Sequence, residues 1–514
     1  MGAMVQSIIS AGSGGIIVDI ECHLSNNLPT IVIVGFANKA VDESRERIRG
    51  AFASSHIMLP RKRITINLAP ADVPKADSGF DLAIAVAIQL AAGQLGAAID
   101  SGQAFIGELG LDGSVRAVRG IIGKVLTGRT KGLTTFYVPT ANLRQAQLVP
   151  GVKLIPVSNL SELAGHLAGT AAIQPVATGR GRYGISSRPA ADNSQGVQLS
   201  EIVGQALAKR ALEIAAAGGH NVFFSGPPGT GKSMLAKALP SILPPLSREE
   251  VLEVTHLHSL ASQDYEQIIS RRPFRSPHHS ASHVAITGGG FQLRPGEISL
   301  AHRGILFLDE LPEFTRQTLE ALRQPLEDQT ISIARAQATI EYPANFILVA
   351  TANPCPCGYY GSSGGGVSCH CLPYQILHYQ RKLSGPILDR IDLYSSVHEI
   401  HHDKLLAQPV NPETGEATRQ RIKQARRRQA KRYAKGDGKL NADMTNADLK
   451  RHGRLEREAA ALLNAAAARL NISARAYMRT VKVARTIADL ENSTVVSPAH
   501  ISEALAYRRH SAKP

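Results

Sequence analysis

The chain has no uninterrupted apolar run of about 18 residues, the length a membrane-spanning helix needs, so neither a transmembrane segment nor a membrane partner is expected. The opening Met1-Gly-Ala-Met-Val lacks the basic region and apolar core of a secretion signal, and a cytoplasmic location is expected. Cysteine is scarce. Five in 514 residues cannot build a disulfide scaffold, and four of them are clustered, which points to metal instead of oxidation. Acidic residues are short as well: 42 Asp and Glu against 57 Lys and Arg leave a formal charge of +15, so an acidic partner is expected, nucleic acid first. Charged residues at 19% and hydrophobic ones at 43% are ordinary for a globular protein, and the length suggests about three domains.

What is present is led by Gly226-Pro227-Pro228-Gly229-Thr230-Gly231-Lys232-Ser233-Met234, which has the P-loop spacing. Glycines at 226 and 231 keep side chains away so that successive backbone N–H groups can wrap the phosphates of ATP, Lys232 reaches the β/γ-phosphates, and Ser233 ligates Mg²⁺. The motif needs a strand before it and a helix after it. Asn221 to Ser225 is a short apolar run, and Met234 to Leu239 has helical periodicity. About eighty residues on, the apolar run Ile305 to Leu308 ends in Asp309 and Glu310, which puts two carboxylates at the carboxyl edge of a parallel sheet. After a P-loop this is a Walker B pair, with Asp309 holding the Mg²⁺ shell and Glu310 orienting and activating water.

The fold class expected is α/β in three parts. Residues 1–169 form an α/β domain, 170–198 a linker rich in Gly, Ser and Pro, 199–400 a parallel-sheet P-loop ATPase core, and 401–514 a helical lid. In the first part, Gly15 to Cys22 and Thr30 to Gly35 read as neighbouring strands, Asn38 to Ser54 as an amphipathic helix, Arg63 to Asn67 as a strand and Asp81 to Ala92 as an apolar helix. Pro74 to Leu82, Ile106 to Ser114 and Arg119 to Lys124 resemble a Lon-type protease domain in the degenerate form found in magnesium-chelatase-like proteins. Active members of that family use a serine and a lysine. Aligned to them, Gly79 or Phe80 stands at the serine position and Ile122 at the lysine position, with Ser78 and Lys124 one or two places off, so the dyad is lost.

The second part resembles AAA+ ATPases. The resemblance implies that Asn353, at the end of the strand Asn345 to Ala352, is the sensor 1 residue, and that Arg390 in Ser384 to Asp392 is an arginine finger acting on the neighbouring subunit of a ring. The other reading pairs Arg390 with Asp389 or Asp392. Arg475 and Arg479 lie four apart on one helix face; by resemblance one of them is a sensor 2 arginine contacting nucleotide in cis, with Arg475 favoured. The insertion Arg271 to Ser280 and a hairpin expected around Arg335 to Gln337 look like pore-lining elements, which implies that Arg275, His278, His279 and Arg335 grip a DNA backbone without reading bases. Cys355, Cys357, Cys369 and Cys371 would hold structural Zn²⁺ tetrahedrally or remain reduced thiols, since their Cys-x-Cys spacing is tighter than the usual one. Arg419 to Arg432 is a basic helix, read as a solvated face or a phosphate track.

Nearly the whole chain resembles the ComM/YifB family of magnesium-chelatase-like AAA+ proteins. That implies a homo-hexameric ATP-driven helicase or translocase on single-stranded and branched DNA, promoting branch migration during natural transformation. Three alternatives stand beside this: a chelatase-type motor remodelling a protein partner, a Lon-type protease, which would need the missing serine and lysine, and a nucleotide-gated DNA-binding scaffold.

Overall fold

The computed structural model describes residues 3–11, 14–35, 39–71, 78–95, 99–178, 196–262, 264–265, 267–290, 293–335, 338–361, 368–383, 385–400, 412–433 and 438–508. Strands Ala3–Ala11 and Gly14–Ser25 pair as an antiparallel hairpin from Ala3 opposite Cys22 to Ala11 opposite Gly14. Val18, Ile20 and Cys22 alternate inward, the period-2 signature of a sheet with one buried face. This hairpin centres an eight-stranded sheet ordered Val176–Ala177, Lys153–Val157, Thr135–Pro139, Gln103–Phe105, Ala3–Ala11, Gly14–Ser25, Arg63–Ala69, Thr30–Val34.

Two sequence expectations change here. The runs at Gly15 and Thr30 are not neighbours, because Arg63–Ala69 lies between them, antiparallel to the first and parallel to the second. The helix Lys39–Ser54 supplies the crossover that parallel pairing requires. The sheet also continues past residue 169, into Val176–Ala177 paired with Lys153–Val157; most of the expected linker, 179–195, lies outside the described residues. Helix Asp81–Ala91, apolar on all sides, is buried from Asp81 to Gln89 and forms the centre of this core. The buried Asp81 carboxylate is paired with Arg47 at 2.7 Å and Ser44 at 2.6 Å. Ser78 gives its hydroxyl to Glu108, and Lys124 is fully buried in helix Ile121–Thr130.

The second sheet has five strands ordered Phe274–Arg275, Ile305–Leu308, Ile347–Ala352, Val222–Ser225, Leu393–Ser396, every adjacent pair parallel. Ile305–Leu308 and Ile347–Ala352 are buried at every position, as expected where helices cover both faces. The two domains meet at helix Arg248–Ala261, which packs on Ile121–Thr130; Val251 belongs to the core of the first domain, and Leu246, Leu252 and Ile268 pack against that core. The contact depends on a missing side chain: a Cβ at Gly123 would lie 2.5 Å from the His256 ring. From the same helix, Glu253 binds Arg303 at 2.9 Å and His302 at 3.2 Å, just ahead of strand Ile305–Leu308.

The carboxyl-terminal helices are Pro412–Arg432, Asn446–His452, Arg457–Leu470, Ala474–Leu490 and Pro498–Ala506. The basic helix is not simply a solvated face. Ile422, Ala425 and Gln429 are buried, Arg421 pairs with Glu213 at 2.6 Å, Arg432 pairs with Asp489 at 2.5 Å, and Arg426 donates to the Ala216 carbonyl. Among the described residues no helix is long and apolar enough to cross a membrane.

Candidate nucleotide-binding site

In a parallel sheet, ligands gather beyond the carboxyl ends of the strands. Three adjacent strands end there with the expected groups. Ser225 leads into the P-loop, Leu308 into Asp309 and Glu310, and Ala352 into Asn353. The turn at Gly226 is obligatory: a Cβ there would lie 2.1 Å from the Val397 carbonyl oxygen, so only glycine lets the loop pass the neighbouring strand. Helix Lys232–Ile242 follows directly, aiming its free N–H groups at the loop.

Lys232 is 9% exposed, and its Nζ donates to the Gly226 and Pro227 carbonyls at 2.7 Å each and to Asn353 Oδ1 at 3.1 Å. Desolvation lowers its pKa, with Asp309 and Glu310 pulling the other way. Ser233 Oγ donates to Asp309 Oδ2 at 2.9 Å. Thr351, which the sequence reading missed, donates to the other Asp309 oxygen and accepts the Glu310 N–H at 3.0 Å. It was findable: Thr351 sits two residues before Asn353 on the same strand face. Glu310 itself has φ of 52°, a left-handed conformation that turns the chain sharply out of the strand. Met234 is 45% exposed beside this loop. The P-loop, both Walker B carboxylates and Asn353 are thus brought to one edge. The serine hydroxyl and the aspartate converge on one point, a donor set suited to a hard cation such as Mg²⁺.

The three arginines are anchored at the other edge. Asp392 and Arg390 lie at the amino end of strand Leu393–Ser396, where Asn221 Nδ2 donates to the Arg390 carbonyl at 3.1 Å. Four residues of strand, about 13 Å, separate that edge from the P-loop. Arg390 is almost buried and pairs with Glu327 at 2.6 Å; Arg475, 57% exposed, reaches the same Glu327 oxygen at 3.2 Å. Arg479 pairs with Asp392 at 2.8 Å. Arg475 is anchored by Glu327, on helix Arg323–Asp328, with Arg390 beside it. Glu327 carried no motif that could have marked it.

Of the residues expected on DNA, Arg275 forms a two-pronged pair with Glu297 at 2.5 Å. His278 is exposed, with its ring 4.1 Å from that of His279. The hairpin Thr330–Arg335 and Ala338–Pro343 exists, with residues 336–337 and the Arg335 side chain outside the described residues. It packs on the segment that follows the insertion, since Tyr342 donates to the Leu293 carbonyl at 2.7 Å and Ile333 lies against Gly288.

Cys355, Cys357, Cys369 and Cys371 come together so that their four sulfurs lie within 4.8 Å of one another. A hydrogen bond from the Tyr359 backbone, joined by contacts from the other three thiols, brings Cys357 down to about 6.

Residues 198–405 match the family described as magnesium chelatase, subunit ChlI; residues 20–142 match subunit ChlI of Mg-chelatase, and 412–508 the ChlI C-terminal family. The chain is 42% identical to "Uncharacterized protein YifB" of Escherichia coli, over 96% of this chain and 94% of that protein. It is 41% identical to "Competence protein ComM" of Haemophilus influenzae, over 98% and 97%. A magnesium-chelatase 38 kDa subunit of Rhodobacter capsulatus is 30% identical over 30% of this chain and half of that protein. With its P-loop, its paired carboxylates and relatives matching from end to end, the chain belongs to the ComM/YifB family of magnesium-chelatase-like AAA+ proteins.

Proposed function

We propose that the protein is a Mg²⁺-dependent ATPase that assembles head to tail into a hexameric ring, moves along single-stranded and branched DNA, and promotes branch migration when incoming DNA is recombined. The observation that carries the ATPase reading is the single constellation of Lys232, Ser233, Asp309, Glu310 and Asn353 at one sheet edge. Backbone N–H groups of 229–233 and the Lys232 ammonium bind the β/γ-phosphates. Ser233 and Asp309 would hold Mg²⁺, which supplies charge neutralisation on the phosphates. Glu310 orients the attacking water and takes its proton, while Asn353 fixes the γ-phosphate side.

Arg390 supports the ring. Anchored about 13 Å from its own P-loop edge, it is far from its own phosphates, and on release from Glu327 it would serve a neighbour's γ-phosphate, with Arg475 on the same Glu327 acting beside it. The excess positive charge, His278 and His279 beyond the Walker B strand, and the hairpin bearing Arg335 support a backbone-tracking DNA contact. The competence name of the Haemophilus relative supports incoming DNA as substrate. The test is strand exchange on a labelled four-way junction with ATP, with Lys232→Ala as the control. ATP-dependent migration absent in the variant is expected; ATP turnover indifferent to DNA, with no strand movement, refutes the DNA motor and favours a chelatase-type machine acting on protein.

A further inference from the structure

We propose that Cys355, Cys357, Cys369 and Cys371 bind a single Zn²⁺, and that this centre holds sensor 1 and the P-loop turn in register. The positioning half rests on the ATPase reading above; the metal half does not.

The ligand set fits zinc. Four sulfurs at about 2.3 Å from a tetrahedral Zn²⁺ lie about 3.8 Å apart. The separations here are 3.3 Å for Cys355 and Cys357, 3.5 Å for Cys357 and Cys369, and 3.8 Å for Cys355 and Cys369. A disulfide needs about 2.05 Å, and all four cysteines are free. The intervening sequence, with Gly358, Gly361, Gly364, Gly365 and Gly366 and few apolar side chains, has a composition whose ordering is entropically costly. Metal binding supplies that free energy directly.

The centre also touches the catalytic edge on both sides. Cys355 lies two residues beyond Asn353. Gly358, held by its N–H to the Cys355 carbonyl at 3.0 Å, presses against the P-loop: a Cβ at this position would stand 2.5 Å from Pro228 Cδ, and its φ of +90° favours glycine as well. Cys371 leads into helix Pro373–Arg381, whose Tyr379 hydrogen-bonds the Asn353 backbone and whose Gln380 donates to the Pro354 carbonyl at 3.3 Å. Glu310, Asn353, His378, Tyr379 and Lys382 together line a cleft of about 500 Å³. The cysteines therefore tie together three pieces that must keep their spacing: the Pro228 turn, the Asn353 segment, and the helix facing Glu310. Groups that hold the reacting side chains from behind in this way act through geometry, where a displacement of about 1 Å costs up to a hundredfold in rate.

The experiment uses the full chain, purified without chelator. Elemental analysis is expected to give one zinc per chain, and exchange into Co²⁺ to give a tetrathiolate absorption spectrum that Cys369→Ser abolishes. Hydrogen exchange then reads positioning. Stripping zinc from the wild type should speed exchange at residues 347–358 and 226–231 while Ile305–Leu308 keeps its protection. In turnover, Cys369→Ser should lower kcat by about tenfold or more, with a smaller loss of affinity for a fluorescent ATP analogue. Absence of both zinc and a cobalt spectrum overturns the metal site. Zinc that can be removed without altering exchange at 347–358 and 226–231 overturns the positioning role. Exchange does not depend on turnover, so a wild type that hydrolyses no ATP defeats the ATPase reading separately.

Discussion

Replacing Asp392 by Asn tests what Arg479 is for. The carboxylate is 5% exposed and takes Arg479 at 2.8 Å, the Asn221 N–H at 3.1 Å and His220 Nδ1 at 3.5 Å, joining helix Ala474–Leu490 to the amino edge of the ATPase sheet. Burial alone would raise its pKa, but Arg479, His220 and Arg508 outweigh burial and hold it well below the usual carboxylate range. Asp392→Asn keeps the volume and one acceptor while leaving the guanidinium uncompensated. Removing half of a buried pair costs about 3–5 kcal/mol, and because Arg479 is 16% exposed the lower end applies. At about 2–4 °C per kcal/mol for a unit of this size, melting should fall by roughly 6–12 °C. A folded-state pKa depressed below the unfolded value gives stability that is present above about pH 3.9 and is lost as pH falls through the folded value, so wild type and variant should converge in acid. Thermal and urea unfolding at neutral and acid pH are the assays, and Arg479→Leu added to Asp392→Asn should recover much of the loss. A variant melting within about 1 °C of wild type, or an Arg479→Leu chain that loses ATP affinity with unchanged melting, would refute the structural assignment.

Gly123→Ala places a methyl against the His256 ring and should cost about 1–3 kcal/mol by overpacking the domain seam; His256→Ala in the same chain should restore urea stability, and no change in either variant would mean the seam is not packed as described. Glu327→Gln removes the carboxylate shared by Arg390 and Arg475, so kcat should drop by about tenfold while binding of a fluorescent ATP analogue is unaffected; equal kcat in wild type and variant would dismiss Glu327 as their anchor.

The parts legible in the sequence were those in which chemistry fixes local spacing. Wrapping phosphates requires glycines and a lysine within eight residues, and strand-end carboxylates follow an apolar run, so 226–233, 305–310 and Asn353 were readable and are gathered at one edge. Long-range partnerships were not. Whether Gly15 to Cys22 pairs with the next strand or the one after depends on the crossover helix, and periodicity is the same in both cases. The basic helix looked unpaired because its acids, Glu213 and Asp489, lie about 210 and 60 residues away in sequence and are contributed by other helices. Thr351 was hidden as an ordinary β-branched strand residue.

The separation of the phosphate-binding residues from the arginines across the ATPase sheet has a consequence for the proposed assembly. If Arg390 serves a neighbour's site, each chain carries two unlike half-surfaces, so association by them is heterologous and directional, and a two-fold pair cannot satisfy it. Two chains joined this way make one complete junction and leave two raw ends. Every added copy completes one more, and only closure, which removes the ends, gives as many complete junctions as chains. If the rotation between neighbours falls short of closing, the same contacts build an open spiral that keeps two raw ends, and so one junction fewer than its chains, whatever its pitch.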